Sequence, residues 1–371
     1  MKRTHPFPQS IPYQRKQRAS FALCLLVVFC AVWYRQGRFG TQEQFFSGAK
    51  KKFESTIGLQ SWNWLISVEG TLYLWPNKAI WPARYAFIGQ PASLDFRLYS
   101  FTYEDARRQF NEIASKGTII RGIIEKSQYG QKDDQYGQLL DAFYGNINVH
   151  LIPDDRLDVQ FQHAKTFLTS DKAIIQTANL TFSSFSKNRE WFFMTSDSGV
   201  VKSLHYLYDA DRYDMPFDRE LLHPNLVVCP INCRDRVEWL ISGATATIRI
   251  YQQYIYDAGI QKVLAEKRRQ GVDIQIILGK FDDRDWWWDE TIDTDGESFT
   301  RIMSGSIKAQ SNPYVHAKMI LIDDTYLLLG SMNMSQTSLD KNREIGIILM
   351  QPEHIRYFNA VFAKDWKSNS K

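Results

Sequence analysis

Apolar and polar positions along this chain follow three regimes. Residues Ala19 to Tyr34 form an uncharged run of sixteen, short beside the ~20 residues of a spanning helix and also suited to a signal-peptide core. Polar residues from Thr41 to Gln60 follow, with Lys50-Lys51-Lys52 among them. From Ser61 onward, short alternating or continuous apolar stretches are separated by helical spacing. Leu94 to Ser100 alternates as a strand. Ala106, Phe110, Ile113 and Ala114 give Asp105 to Lys116 a helical face, Gly117 ends it, and Ile119 to Ile124 reads as the next strand. The order then recurs: strand Thr247 to Tyr251, helix Asp257 to Gln270, Gly271, strand Asp273 to Leu278. Gly117 and Gly271 are 154 positions apart. Each unit continues with two more strands and a helix, Val200 to Ala210 in one and His354 to Trp366 in the other. Such registration predicts a duplicated α/β sandwich.

Polar residues sharpen the repeat. Gln162-His163-Ala164-Lys165 is followed by Thr177-Ala178-Asn179 and Asn188-Arg189-Glu190. Val315-His316-Ala317-Lys318 is followed by Asp323, Gly330-Ser331-Met332-Asn333 and Asn342-Arg343-Glu344. His163 to His316 is 153 positions, and Glu190 to Glu344 is 154. Core packing does not require polar residues to recur in order. On a strand through Val315 to Asp323, His316 and Lys318 share a face about 6–7 Å apart, and His163 and Lys165 match them. Two such faces around a pseudo-twofold axis gather two His, two Lys and two Asn, a set suited to a phosphodiester. The ammonium groups and amides bind nonbridging oxygens. One imidazole attacks phosphorus and the other protonates the leaving alcohol. Glu190 and Glu344 are placed to hold an imidazole in one tautomer. Asn179-Leu180-Thr181 and Asn333-Met334-Ser335 match a glycosylation pattern, but lie within these motifs and are read as chance matches.

Composition changes the picture little. The 371 residues are 44% hydrophobic and 23% charged, ordinary for a globular chain. Net charge is +4, and Lys2, Arg3, Arg15, Lys16, Arg18, Arg35 and Arg38 precede the first acid, Glu43. The remainder is close to neutral, so the large basic footprint of a duplex-binding protein is not expected. With basic residues before the apolar run and Trp33-Tyr34 at its end, the run reads as an uncleaved signal anchor, N-terminus inside and globular part outside. A removed targeting peptide is the competing reading. Cys229 and Cys233 fit free thiols, a short-loop disulfide, or half a zinc site with His223. Trp286-Trp287-Trp288 fits an apolar lip that enters a bilayer interface or stacks on bases, or a packed cluster, and Gln128 to Gln138 reads as a mobile loop.

The two motif sets resemble the phospholipase D superfamily, the group of phospholipases D, cardiolipin synthases and Nuc-type endonucleases, from about Ser61 to Lys371. The resemblance implies two pseudo-symmetric α-β-α sandwich repeats (61–220 and 221–371) sharing one active site. They follow a basic segment (1–18), a transmembrane anchor (19–34) and a linker (35–60). It implies a ping-pong reaction through a phosphohistidine, without metal or cofactor. His163 is the implied nucleophile and His316 the general acid, with Lys165, Lys318, Glu190 and Glu344 in the catalytic set. Asn179, Asn333, Ser331 and Thr177 are implied substrate contacts, and Asp323 a supporting residue. The first motif departs from the pattern: Ser170 stands where the family has Asp, and Asp171, one place later, is expected to substitute. The expected substrate is a phospholipid headgroup ester at a membrane, with hydrolysis favoured. Nucleic acid cleavage, phosphatidyl transfer and a catalytically degenerate binding protein are the alternatives. Oligomeric state is not legible.

Overall fold

The structure is a computed structural model that describes residues 65–76, 90–126, 143, 145–152, 159–279 and 297–368. The apolar run 19–34, the lysine run, the Gln128 to Gln138 stretch and the three tryptophans lie outside these residues. Among the described residues no helix is long and apolar enough to cross a membrane.

Fifteen strands are described. In chain order they are β1 (Thr71–Trp75), β2 (Ser93–Leu98), β3 (Ile119–Glu125), β4 (Ile147–Ile152), β5 (Thr166–Leu168), β6 (Ala173–Gln176) and β7 (Asn188–Thr195). They continue with β8 (Leu226–Cys229), β9 (Thr247–Gln252), β10 (Asp273–Gly279), β11 (Ile307–Gln310), β12 (Tyr314–Val315), β13 (Met319–Ile322), β14 (Tyr326–Gly330) and β15 (Glu344–Leu349). One sheet runs β1-β7-β6-β5-β2-β3-β4 and the other β8-β15-β14-β13-β9-β10-β11. The orders are identical, so the 154-residue repeat is a repeat of topology. In each sheet three parallel strands (β2, β3, β4; β9, β10, β11) adjoin antiparallel strands that carry the motifs.

Helices fill the outer faces and the space between the sheets. Helix Glu104–Ser115 covers the first sheet with Ala106, Phe110, Ile113 and Ala114, as its spacing predicts. Gly117 and Gly271 follow the outer helices at φ 103° and 87°, where a left-handed residue closes a helix and glycine bears no Cβ penalty. Helices Ser198–Tyr213 and Pro352–Ser368 contribute Leu204, Leu207, Ile355 and Phe358 to one core with residues of both sheets. Each fully buried side chain of this kind contributes about 1.5–3 kcal/mol. The repeats therefore share their central core, and residues 65–371 form one compact unit.

Two expectations are corrected. Val315 to Asp323 is not one strand. Tyr314 and Val315 pair with Asn188 and Arg189 of β7 in the first sheet, whereas Met319 to Ile322 pair with β9 and β14 in the second. The histidine and lysine thus sit where the chain passes from one sheet to the other. Space at the crossing is tight: a Cβ on Gly279 would lie 2.4 Å from the Val315 carbonyl oxygen. Gln162 makes the reciprocal bridge to Arg343.

Asp171 does not take the place of Asp323. Asp323 accepts from the amides of Thr245, Ala246 and Thr247 at 2.7–2.8 Å and from Thr245 Oγ1 at 2.8 Å. Burial works to raise its carboxyl, but these donors outweigh it and hold the pKa below the ordinary range. Asp171 is exposed and accepts from Thr169 Oγ1 within its own turn. The turn after β5 is tied instead by His205, whose ring contacts the Thr169 carbonyl at 2.9 Å and Asp95 at 3.3 Å. Cys229 and Cys233 are joined as a disulfide, which removes the thiol and zinc readings.

Asp323→Ala should lower stability by about 1–2 kcal/mol, charge-assisted hydrogen bonds discounted for partial exposure. Asp171→Ala should be nearly neutral. Urea unfolding of the two variants measures the difference, and equal losses would contradict the assignment.

Candidate active site

Strand exchange brings the two motifs to one seam. The His163 amide donates to the Arg343 carbonyl at 2.9 Å, and the His316 amide to the Arg189 carbonyl at 3.2 Å. Each histidine is therefore hung from the other repeat's Asn-Arg-Glu segment. The side chains cross in the same way. His163 Nδ1 lies 2.9 Å from both carboxylate oxygens of Glu344, and His316 Nδ1 lies 2.7 Å from Glu190 Oε1. The hydrogen bond from Nδ1 of His163 keeps the proton there and leaves Nε2 with a lone pair, whereas the His316–Glu190 pair is within ion-pair distance without hydrogen-bond geometry. The histidine side chains are 13% and 12% exposed and the glutamates 0% and 1%, so the imidazoles keep some access to solvent and the carboxylates lie behind them.

The carboxylates are themselves held. Glu344 accepts from Ser331 Oγ and Ser338 Oγ, both at 2.6 Å, and from Asn342 Nδ2 at 3.4 Å. Glu190 accepts from Thr177 Oγ1 at 2.5 Å and Asn188 Nδ2 at 3.2 Å. Ser331 and Thr177, expected as substrate contacts, are fully buried with their hydroxyls committed to the glutamates. In this arrangement they orient the glutamates that back the histidines. Asn188, Asn342 and Ser338 perform the same task. The two asparagines head the repeated Asn-Arg-Glu segments, so the repeat marked their positions. Ser338 carried no such signal.

Lys165 and Lys318 are buried, and each Nζ donates to the carbonyl of its own motif histidine, His163 or His316. Burial pushes the Lys165 ammonium down to about 7 and Lys318 to about 8, with Glu344 and Glu190 opposing the shift. Burial also lowers His163 to about 4, opposed by Glu344 and assisted by the two lysines, and it lowers His316. The glutamates are lowered as well, but against burial. Burial would raise them, but His163 and Lys165 beside Glu344, and His316 and Lys318 beside Glu190, hold both below the ordinary range. Burial thus disfavours the charged form of both imidazoles. An arriving phosphodiester anion would favour the protonated form of one of them.

Asn333 is buried, its Nδ2 donating to the Tyr254 hydroxyl at 3.0 Å, and Asn179 lies at the matching place. Both keep a buried Oδ1 without a partner. Tyr99 packs edge-on against His163 at 4.8 Å and its ring lies 5.7 Å from Lys165 Nζ. Tyr254 stacks on Tyr256 at 4.6 Å. These tyrosines had no motif to announce them. Asp323 and Asp171 lie on the hairpin turns and reach neither histidine.

Fold and site together define a two-repeat α/β protein with a twofold histidine–lysine–glutamate centre. The chain belongs to the phospholipase D-like family: the family model described as "Cardiolipin synthase, PLD-like domain" matches residues 88–212 and again 238–366. Members of that superfamily are phosphodiesterases or transferases. A solved phosphatidylserine synthase from Haemophilus influenzae Rd KW20 superposes with a TM-score of 0.60 at 13% identity, over 86% of this chain and 91% of that one. A polyphosphate kinase from Porphyromonas gingivalis gives 0.58 at 12% identity, over 80% and 50% of the two chains. At these identities the likeness is one of fold. Locally, 44 residues are 48% identical to phospholipase D alpha 1 of Spuriopimpinella brachycarpa, and 58 residues are 41% identical to phospholipase D alpha 1 of Cynara cardunculus. Those matches span only 5% and 7% of the relatives' lengths.

The His163 shift carries a pH signature. Between its folded pKa of about 4 and an unfolded value near ~6.5, the unfolded chain binds more protons, so stability should fall on acidification through that window. Urea midpoints from pH 7 to pH 4 should show the decline, and His163→Gln should flatten it. An unchanged slope in the variant would contradict the shift.

Proposed function

We propose that this chain is a phosphodiesterase of the phospholipase D type, hydrolysing phospholipid headgroup esters through a covalent phosphohistidine. The observation that carries the reading is the crossed arrangement of two imidazoles, each backed at Nδ1 by a buried glutamate of the other repeat. His163 Nε2 attacks phosphorus and the P–O bond to the headgroup alcohol breaks. His316, protonated in the complex, delivers its proton to that oxygen and then takes one from the attacking water. Water opens the P–N bond, giving phosphatidic acid and restoring His163. Lys165 and Lys318 neutralise the nonbridging oxygens, and Asn179 and Asn333 donate to them. That places positive charge on the phosphoryl group without a metal.

Three things support a lipid substrate: the apolar run 19–34, the near-neutral remainder of the chain, and the lipid enzymes among its relatives. The disulfide supports an oxidising compartment outside the cytoplasm, with the run as a single-pass anchor. A second reading, transfer of the phosphatidyl group to another lipid alcohol, is favoured by the family model's description and by the phosphatidylserine synthase likeness. It shares every step but the acceptor.

The chain, incubated with chelator and vesicles of phosphatidylcholine or of phosphatidylglycerol, should release phosphatidic acid from one or both. His163→Ala and His316→Ala should each lower kcat by about 10³-fold or more, the scale for removing a nucleophile or its proton partner. Conversion of phosphatidylglycerol to cardiolipin with free glycerol would select the transfer reading. Cleavage of single-stranded DNA without lipid turnover would sink both.

A further inference from the structure

The arginines of the two Asn-Arg-Glu segments hold neither histidine through their side chains, yet both are buried beside them. Arg343 directs Nε and Nη2 at the Asp211 carboxylate, at 3.1 and 3.0 Å, and Nη1 at the Cys229 carbonyl at 2.9 Å. Arg189 repeats the arrangement on Asp365, at 2.8 and 3.0 Å, with Nη1 3.4 Å from the Trp75 carbonyl. Trp75 and Cys229, Arg189 and Arg343, and Asp211 and Asp365 are each 154 positions apart. One buried ion pair is weak evidence of anything, since desolvation offsets most of its attraction. A forked pair built twice, with the same third contact, points to a task at that place.

The connectivity shows the task. Asp211 lies on helix Ser198–Tyr213 of the first repeat, and Arg343 belongs to the second. The Arg343 carbonyl accepts from the His163 amide, and the next residue, Glu344, holds His163 Nδ1. Asp365, Arg189, Glu190 and His316 form the mirror path. In each path one residue grips the histidine by its own backbone and steers it through its neighbour. A forked contact on a planar guanidinium leaves that residue little freedom to rotate. The aspartates are anchored in turn: Asp211 also accepts from Arg97 Nη1, and Asp365 from the Tyr251 hydroxyl at 2.8 Å. Arg97 and Tyr251 are again 154 positions apart.

We propose that Asp211 and Asp365 are positioning residues for the reaction, Asp211 for His163 and Asp365 for His316, each acting through the arginine and glutamate of the opposite repeat. The inference rests on the reading of the two histidines as the reacting groups. Its physical content is that the clamp fixes the carboxylate against Nδ1, and with it the single tautomer that leaves Nε2 free.

The test uses the full chain with nitrogen-15 histidine side chains. Ring-nitrogen shifts of His163 and His316, assigned with His163→Gln and His316→Gln, report tautomer and partner without requiring turnover. Asp211→Asn should move His163 from a single Nδ1–H tautomer toward a mixture and leave His316 in place. Asp365→Asn should do the reverse. Each should also lower kcat roughly tenfold, the low end of what losing a supporting partner costs, with KM changed by less than about twofold. Arg343→Lys keeps a charge opposite Asp211 but cannot make the forked contact. It should give the His163 signature too, and it decides the matter if Asp211→Asn does not fold. Unchanged His163 shifts in folded Arg343→Lys, or equal shifts at both histidines in either aspartate variant, overturn the proposal. A wild-type chain that turns over no phosphodiester, while the shifts move as expected, leaves the clamp standing and removes the proposed function instead.

Discussion

Two ammonium groups and two carboxylates are taken out of water at the seam between the repeats, and the rest of the structure is arranged around tolerating that. An isolated buried charge is too costly for a domain of ordinary stability. Here the signs balance, and each carboxylate is met by an imidazole and by hydroxyl and amide donors. The balance is available only at the interface, because each repeat's glutamate answers the other repeat's histidine. Strand exchange at Gln162 and at Tyr314–Val315 brings those partners into register. The shared core of helices Ser198–Tyr213 and Pro352–Ser368 keeps them there.

The two halves are not copies in detail. Glu344 has three side-chain donors besides His163, whereas Glu190 has two besides His316. Asp211 lies between two guanidiniums, while Asp365 lies between a guanidinium and a phenol. More donors on Glu344 draw its charge away from His163, and an extra cation behind that path acts in the same direction. Both differences favour the neutral imidazole at His163, the form its proposed role as nucleophile requires.

Much of this was legible in the chain. The interval of 154 gave the duplicated topology, and the recurrence of His, Lys, Asn and Glu marked the site's members. What periodicity could not convey was which repeat each partner comes from, because alternation describes a strand and not its neighbour. The break at His316 was hidden for the same reason: Val315 to Ile322 is apolar enough for one strand, and only pairing reveals two. Thr177 and Ser331 looked like ligand contacts because hydroxyls beside a phosphate motif usually suggest it. Their burial against carboxylates is a tertiary fact. Asp171 misled by proximity, since a turn one residue shorter turns its side chain outward.

The crossed contacts also set an order of events in time. His163 and its partner Glu344 are 181 residues apart in sequence. At ~5–20 residues per second, the ribosome adds the second after the first with a delay on the order of 10–40 s. Throughout that interval the nascent first repeat carries a histidine with no carboxylate behind it, and Lys165 has only Glu190 of its own repeat to offset its charge. The centre cannot be assembled piecemeal: it closes only when the last strand of the second sheet is laid down. A chain interrupted before Glu344 therefore lacks the carboxylate that backs His163.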